Sequence, residues 1–258
     1  MNPHGRLTEQ FERQGQWLYH RRSVAIIAIL PLLVLAIGFP GFPGRGWLHG
    51  TAVDHLGEAC LLISFAGLAL RWFTVGFVPA NTSVRSTREQ RAAVLNTTGM
   101  YSVVRHPLYL ANSIVAMAFA AATGSLWFLL VLVAANALYI ERIAAAEERF
   151  LAAAHGQAWS RWAAKTPAFI PDFSLWQPAD LRFSLRTVLR REYNGVLHVA
   201  LAYFLLEAVY DLDAGHQTLS RWLVHDPLWV GLLLAGLAVH LSLRTLKRHT
   251  RQLHVGGR

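Results

Sequence analysis

The sequence has a single cysteine, Cys60, which excludes an internal disulfide and a cysteine-based zinc cluster. It is also short of charge. Only 15% of its 258 residues are Asp, Glu, Lys or Arg, against about a quarter in soluble domains. A glycine-rich strand–turn–helix, the usual nucleotide cradle of soluble enzymes, is missing too. The one glycine cluster, Gly41-Phe42-Pro43-Gly44-Arg45-Gly46, has no strand before it and is rejected as a nucleotide loop. Internal repeats and low-complexity linkers are likewise lacking. What remains is an apolar chain, 54% hydrophobic, with a formal charge of +9. In a soluble protein that charge would point to nucleic acid. In a chain this apolar its placement matters more, and no nucleic-acid partner is expected.

A helix needs roughly twenty mostly apolar residues to cross about 30 Å of hydrocarbon. Val24–Phe39 is one such run, and its Pro31 is tolerable in a membrane helix. Leu56–Pro79 is a second and carries Cys60 as a small core residue. Leu108–Ala122 and Leu126–Ile140, joined only by Thr123-Gly124-Ser125, read as a short helical hairpin that is tilted or continues beyond the bilayer. Val196–Tyr210 and Pro227–Leu243 complete the set. The expected fold is an all-α integral membrane protein of about six transmembrane helices. Six spans place 21 of the 24 Lys and Arg on one side, all but Arg45, Arg71 and Arg221. By the positive-inside tendency that side, with both termini, is cytoplasmic. A rival reading makes the N-terminus a secretory signal, ending at Ala36-Ile37-Gly38. Three regions follow: 1–79 with two spans, 80–173 as a core of loop, hairpin and cap, and 174–258 with two more spans and a basic tail. The last boundary lies near Pro178.

The two large cytoplasmic segments, Asn81–His106 and Glu141–Phe173, flank the hairpin, so their polar groups converge at one membrane surface. The first ends in Gly99-Met100-Tyr101-Ser102-Val103-Val104-Arg105-His106-Pro107-Leu108-Tyr109. Pro107 suits a first helical turn, where its missing N–H costs nothing. Arg105 and His106 then sit beside free backbone donors and a positive dipole end, which attract a carboxylate or phosphate. Equally, Arg105 can anchor the helix at lipid headgroups while His106 caps it. The second segment carries Glu141-Arg142, Glu147-Glu148, His155-Gly156, Trp159, Trp162, Lys165, Pro167 and Phe169-Ile170-Pro171. If the fourth helix runs past Ile140, Glu141, Ala144, Ala145 and Glu148 share a face and Glu147 points elsewhere. A solvated, salt-bridged helix end would read the same way.

Taken in order around a short hairpin, these two blocks resemble the isoprenylcysteine carboxyl methyltransferase-like family. That family carries an Arg-His-Pro-x-Tyr-x-Gly motif, then a Glu-Glu-x-x-Leu helix ending in a Gly, aromatic and Pro pattern. Arg105-His106-Pro107-Leu108-Tyr109-Leu110 is similar to the first, with Ala111 in place of Gly. Glu147-Glu148-Arg149-Phe150-Leu151 is similar to the second. Trp159 and Trp162 stand where tyrosines are common, and Lys165 where an Arg often precedes Pro. Asn81-Thr82-Ser83-Val84-Arg85-Ser86-Thr87-Arg88, followed by Leu95-Asn96-Thr97-Thr98-Gly99, resembles a bacterial subgroup associated with methylating the 1-phosphate of lipid A.

The resemblance implies an S-adenosylmethionine-dependent membrane methyltransferase whose donor is held at the cytoplasmic end of the hairpin. It implies cofactor contacts from His106, Leu108, Tyr109 and the backbone around Tyr101, with Glu147 or Glu148 near the donor's ammonium. Arg85, Arg88 and Arg105 are then the residues for an anionic acceptor. An anionic oxygen needs no general base, so alignment of two bound partners would carry the reaction, with Glu148 among the working residues. The expected partner is a membrane lipid with a lipid A-type phosphate, in the bacterial inner membrane; no metal is implied. Carboxyl methylation of a prenylated cysteine, a nicotinamide-dependent reductase on a related scaffold, and a non-enzymatic transporter using Arg71, Glu207 and His240 stand as alternatives. Among the other polar residues, Arg71 reads as snorkelling beside Trp72. Asn112 and Asn136, on opposite arms of the hairpin, read as bonding across helices rather than touching ligand, and His198, Glu207 and His240 as interfacial or interhelical.

Overall fold

The computed structural model describes residues 3–38, 51–79, 94–214, 223–224 and 227–256. The described secondary structure is entirely helical. In order, the helices are α1 (Pro3–His20), α2 (Arg22–Gly38), α3 (Thr51–Gly76), α4 (Met100–Val103), α5 (Pro107–Ala122), α6 (Leu126–His155), α7 (Gln157–Ala163), α8 (Leu185–Glu192), α9 (Gly195–Ala214) and α10 (Pro227–His249). A single 3₁₀ turn, Phe173–Leu175, lies between α7 and α8.

The apolar runs became the apolar helices. Three are long enough to cross a membrane: His55–Gly76 within α3, α6 and α10. Three more are apolar but shorter: Ile27–Gly38, α5 and Gly195–Tyr210. Each of the six expected spans thus corresponds to a helix among the described residues. α2 continues through Pro31 without a break.

α5 packs along α3, α6 returns beside α5, and α10 lies along α9. The main core gathers Cys60, Leu61 and Leu68 of α3, Ala118 and Ala122 of α5, Val199, Tyr203 and Leu206 of α9, and Trp229 of α10. Small residues permit the close approach of α3 to α5. A Cβ added at Gly67 would sit 2.8 Å from Val115 and 3.0 Å from the Ala111 carbonyl. Polar groups finish the packing: Ser64 Oγ lies 2.9 Å from the Tyr203 hydroxyl, and Asn136 donates to Ser113 Oγ across the hairpin at 3.0 Å.

Two expectations are corrected here. Within residues 1–23, read only as a basic segment, Pro3–His20 form helix α1, which runs along α6. Phe11, Gly15 and Leu18 repeat at the helical spacing of i, i+4 and i+7. The Arg142 guanidinium stacks over Phe11, 3.6 Å from the ring centroid, and its Nε donates to Gln14 at 3.0 Å. Arg71 does not snorkel outward. Its Nε and Nη2 reach the buried Glu192 carboxylate at 2.6 and 3.2 Å. Asn112 accepts from Arg71 Nη1 at 2.8 Å, a bond across helices as expected, made to α3. A charge at membrane depth is costly unless paired, and the carboxylate on α8 supplies that pairing.

Candidate active site at the end of the hairpin

α6 is 30 residues long, about 45 Å at 1.5 Å per residue. That is long enough to cross the hydrocarbon and project up to about three turns past it. Glu147 and Glu148 lie in that projecting part, about 30 Å from its start. α5 begins at Pro107 on the same side, because the Thr123–Ser125 turn joins the hairpin at its opposite end. The fold alone brings the two sequence blocks together.

Contact is direct. His106 Nε2 lies 2.9 Å from Glu148 Oε1, and Arg105 Nη1 meets the same oxygen at 2.8 Å. The Tyr109 hydroxyl donates to Glu147 Oε2 at 2.7 Å, and His106 Nδ1 is 3.8 Å from that oxygen. The expectation that Glu147 points away is therefore corrected. Adjacent helical residues diverge by about 100°, so a partner on the line between them takes both. His106 on the loop takes Glu148, and Tyr109 within α5 takes Glu147.

The rings form a second feature. His106 is only 5% exposed and lies between Tyr109 and Phe169, with centroid separations of 5.4 and 5.7 Å and both contacts stacked. Leu108 is half-buried and contributes apolar surface. Arg105 keeps its Nε buried without a hydrogen-bond partner among the described residues. Arg85 and Arg88 lie outside the described residues.

A cap made of residues 156–184 closes over α4. Arg105 N donates to the Pro167 carbonyl at 2.8 Å, and Asp172 N to the Val103 carbonyl at 2.9 Å. Trp162 Nε1 donates to the Tyr101 carbonyl at 2.9 Å. That carbonyl, expected to face a cofactor, is thus engaged in holding α7 in place. Ser102 Oγ donates to the Gly99 carbonyl at 2.7 Å and accepts from Gln177 N at 2.9 Å. Gly99 N donates to the Gln177 carbonyl at 3.0 Å. Gly99 has φ of 61°, a conformation open to glycine and costly for most other residues. Ser102, Asp172 and Gln177 had no sequence signal, because they act through backbone groups that only the tertiary fold pairs.

The arrangement carries two carboxylates against one guanidinium, with the histidine ring held flat between aromatic neighbours. Such a site favours a compact cation beside the carboxylates and an apolar or aromatic group beside the rings. Among the described residues, no group of three His, Cys, Asp or Glu is placed to hold a metal ion.

Comparison with known proteins centres on this region. Residues 80–158, spanning the loop, the hairpin and the projecting end of α6, match the family model described as phospholipid methyltransferase. The cobalt-zinc-cadmium resistance protein CzcN of Cupriavidus metallidurans is 34% identical over 117 residues, which are 45% of this chain and 52% of CzcN. The chain spans about half the length of this curated relative. No solved structure matches the chain.

Proposed function

We propose that the protein is an S-adenosylmethionine-dependent methyltransferase acting on an anionic oxygen of a membrane lipid, with a lipid A-type phosphate as the favoured acceptor. The observation that carries this reading is the convergence of Arg105, His106 and Tyr109 on Glu147 and Glu148 at one end of the hairpin. It falls inside the segment similar to phospholipid methyltransferases.

The residues present fit such a donor. Arg105 offsets one of the two carboxylates, which leaves a net negative site suited to an ammonium and a sulfonium. The exposed Phe169 ring and the half-buried Tyr109 ring, both stacked with His106, offer aromatic surface to a flat or cationic group. Arg105 Nε, buried and without a partner among the described residues, suits a carboxylate or phosphate oxygen. S-adenosylmethionine supplies an electrophilic methyl group, which an already anionic oxygen can take without a general base.

The chain's own work is then binding and alignment. Glu147 and Glu148 fix the ring and hydroxyl of His106 and Tyr109. Arg105, half neutralised by Glu148, orients an acceptor anion without pairing so tightly as to dull its nucleophilicity. Arg85 and Arg88 are assigned to the same anion. The face carrying the site is assigned to the cytoplasm, where the donor is dissolved.

The test is transfer of a labelled methyl group by the purified full-length protein in lipid nanodiscs, with Arg105→Ala, His106→Ala and Glu148→Ala made separately. Losses of 10²-fold or more are expected for groups that align the partners. Undiminished transfer in all three refutes the reading. The description of the matched family, phospholipid methyltransferase, favours a phospholipid as the second acceptor. Mass analysis of the lipid product separates a phosphate ester from any other headgroup methylation.

A further inference from the structure

The cap carries an apolar surface that its role over α4 does not explain. Ile170 is 81% exposed and Phe173 67% exposed, and Trp176, Phe183 and Leu185 are exposed beside them. None of these five belongs to an apolar helix. Their exposure is not that of a fraying segment. Asp172 N is fixed to Val103, Gln177 N to Ser102, and Ser184 N to the Gly76 carbonyl at 2.9 Å. Ordered apolar surface exposed in this way marks an interaction site.

Two observations identify the partner. The patch continues the surface of a membrane helix: Trp176 lies 6.3 Å from Phe73 and Phe183 lies 5.4 Å from Phe77, ring centroid to ring centroid. Phe73 and Phe77 stand at the end of α3, one of the three helices long enough to span. Aromatic residues concentrate at that level of a bilayer, with their bodies in the apolar layer. The patch is also edged by exposed cations, Arg182 and Arg186, the latter on the short α8, which buries Thr187, Val188 and Glu192 while Leu185 and Arg186 face outward. The acids of the segment are engaged locally: Asp172 accepts from the Ser174 amide and hydroxyl, and Asp180 from Thr98.

We propose that residues 169–185 and the first turn of α8 form a monotopic contact lying in the interface of the bilayer that the helices cross. Ile170, Phe173, Trp176, Phe183 and Leu185 enter the headgroup–acyl boundary, and Arg182 and Arg186 meet anionic phospholipid phosphates. Basic residues edging an apolar face are the pattern of interfacial helices. Phe169, at the start of this segment, stacks on His106. The membrane contact therefore adjoins the candidate site, and it does not rest on the proposed function.

The test uses nitroxide labels on the full-length protein in a Cys60→Ser background, in nanodiscs of phosphatidylethanolamine with phosphatidylglycerol. Labels go at Ile170→Cys and, separately, Phe173→Cys, with Leu62→Cys on the exposed face of α3 as the lipid reference and Gln157→Cys on α7 as the water reference. The readout is the ratio of collisions with oxygen to collisions with an aqueous nickel chelate. Both cap labels are expected to exceed the Gln157 ratio by about threefold or more and to approach the Leu62 value. A ratio equal to that at Gln157 overturns the proposal, and so does shielding from both reagents, which would mean a protein partner or a second copy on the patch. Omitting phosphatidylglycerol is expected to lower the ratio in the parent and not in the Arg182→Gln/Arg186→Gln variant; no change in either overturns the assignment of the two arginines. No methyl donor enters the measurement, so an inactive enzyme leaves its outcome intact.

Discussion

Arg71 of α3 and Glu192 of α8 stand 121 positions apart in the sequence and meet through two hydrogen bonds, at 2.6 and 3.2 Å. The carboxylate side chain is 3% exposed and the guanidinium 15%. Removing one partner strands the other charge away from water. Glu192→Gln or Arg71→Met is expected to cost roughly 3 kcal/mol, whereas the apolar pair Arg71→Met/Glu192→Met costs far less. Thermal denaturation in detergent compares the three; a double variant as damaged as the singles would contradict this.

The Tyr109 hydroxyl and Glu147 are joined at 2.7 Å, so their contributions to ligand binding are coupled. Tyr109→Phe and Glu147→Gln are each expected to weaken donor binding. The double variant should lose less than the two singles add up to, by about 1–2 kcal/mol. Calorimetric binding of S-adenosylmethionine to the four proteins measures that coupling, and strict additivity would separate the two residues.

Helix α1 lies against α6 at a point where a side chain has no room. A Cβ at Gly15 would collide with the Arg142 carbonyl oxygen. Gly15→Ala is expected to displace α1 and cost about 1–3 kcal/mol, as overpacking does. Limited proteolysis between α1 and α2 should accelerate in this variant, and an unchanged cleavage rate would show that α1 is not held at Gly15.

Asp172 gives a dependence on acidity with a definite sign. Hydrogen bonds from the Ser174 hydroxyl and amide hold its carboxyl below the ordinary carboxylate range. The turn it caps is therefore supported in full above the ordinary range, and that support disappears as pH falls through the depressed value. An NMR titration of the Asp172 side-chain carbon should show a midpoint below the model-peptide value of 3.8. Ser174→Ala should move the midpoint upward.

Much of the scaffold was readable because membrane helices announce themselves locally. The stretch from Pro107 to Ala122, the three-residue turn and the start of α6 at Leu126 follow from apolar runs broken by Thr-Gly-Ser. The Arg105–Tyr109 and Glu147–Glu148 blocks were legible as chemistry and as an ordered pair. The direction of Glu147 was not, because it depends on how α6 is rotated against α5. Nor was the Arg71–Glu192 pair, since nothing in the neighbourhood of either residue specifies the other. α1 was missed although Phe11, Gly15 and Leu18 carry its period, because its basic residues were read for topology alone.

The sequence by itself determined the helical class, the apolar segments and the residue types gathered around the hairpin, since each depends only on neighbours along the chain and their preference for hydrocarbon over water. The tertiary structure alone decided which carboxylate meets His106 and which meets Tyr109, what neutralises Arg71, and how the cap is tied to α4. Those outcomes depend on helix rotation and on backbone donors meeting acceptors from distant segments, which no local pattern encodes.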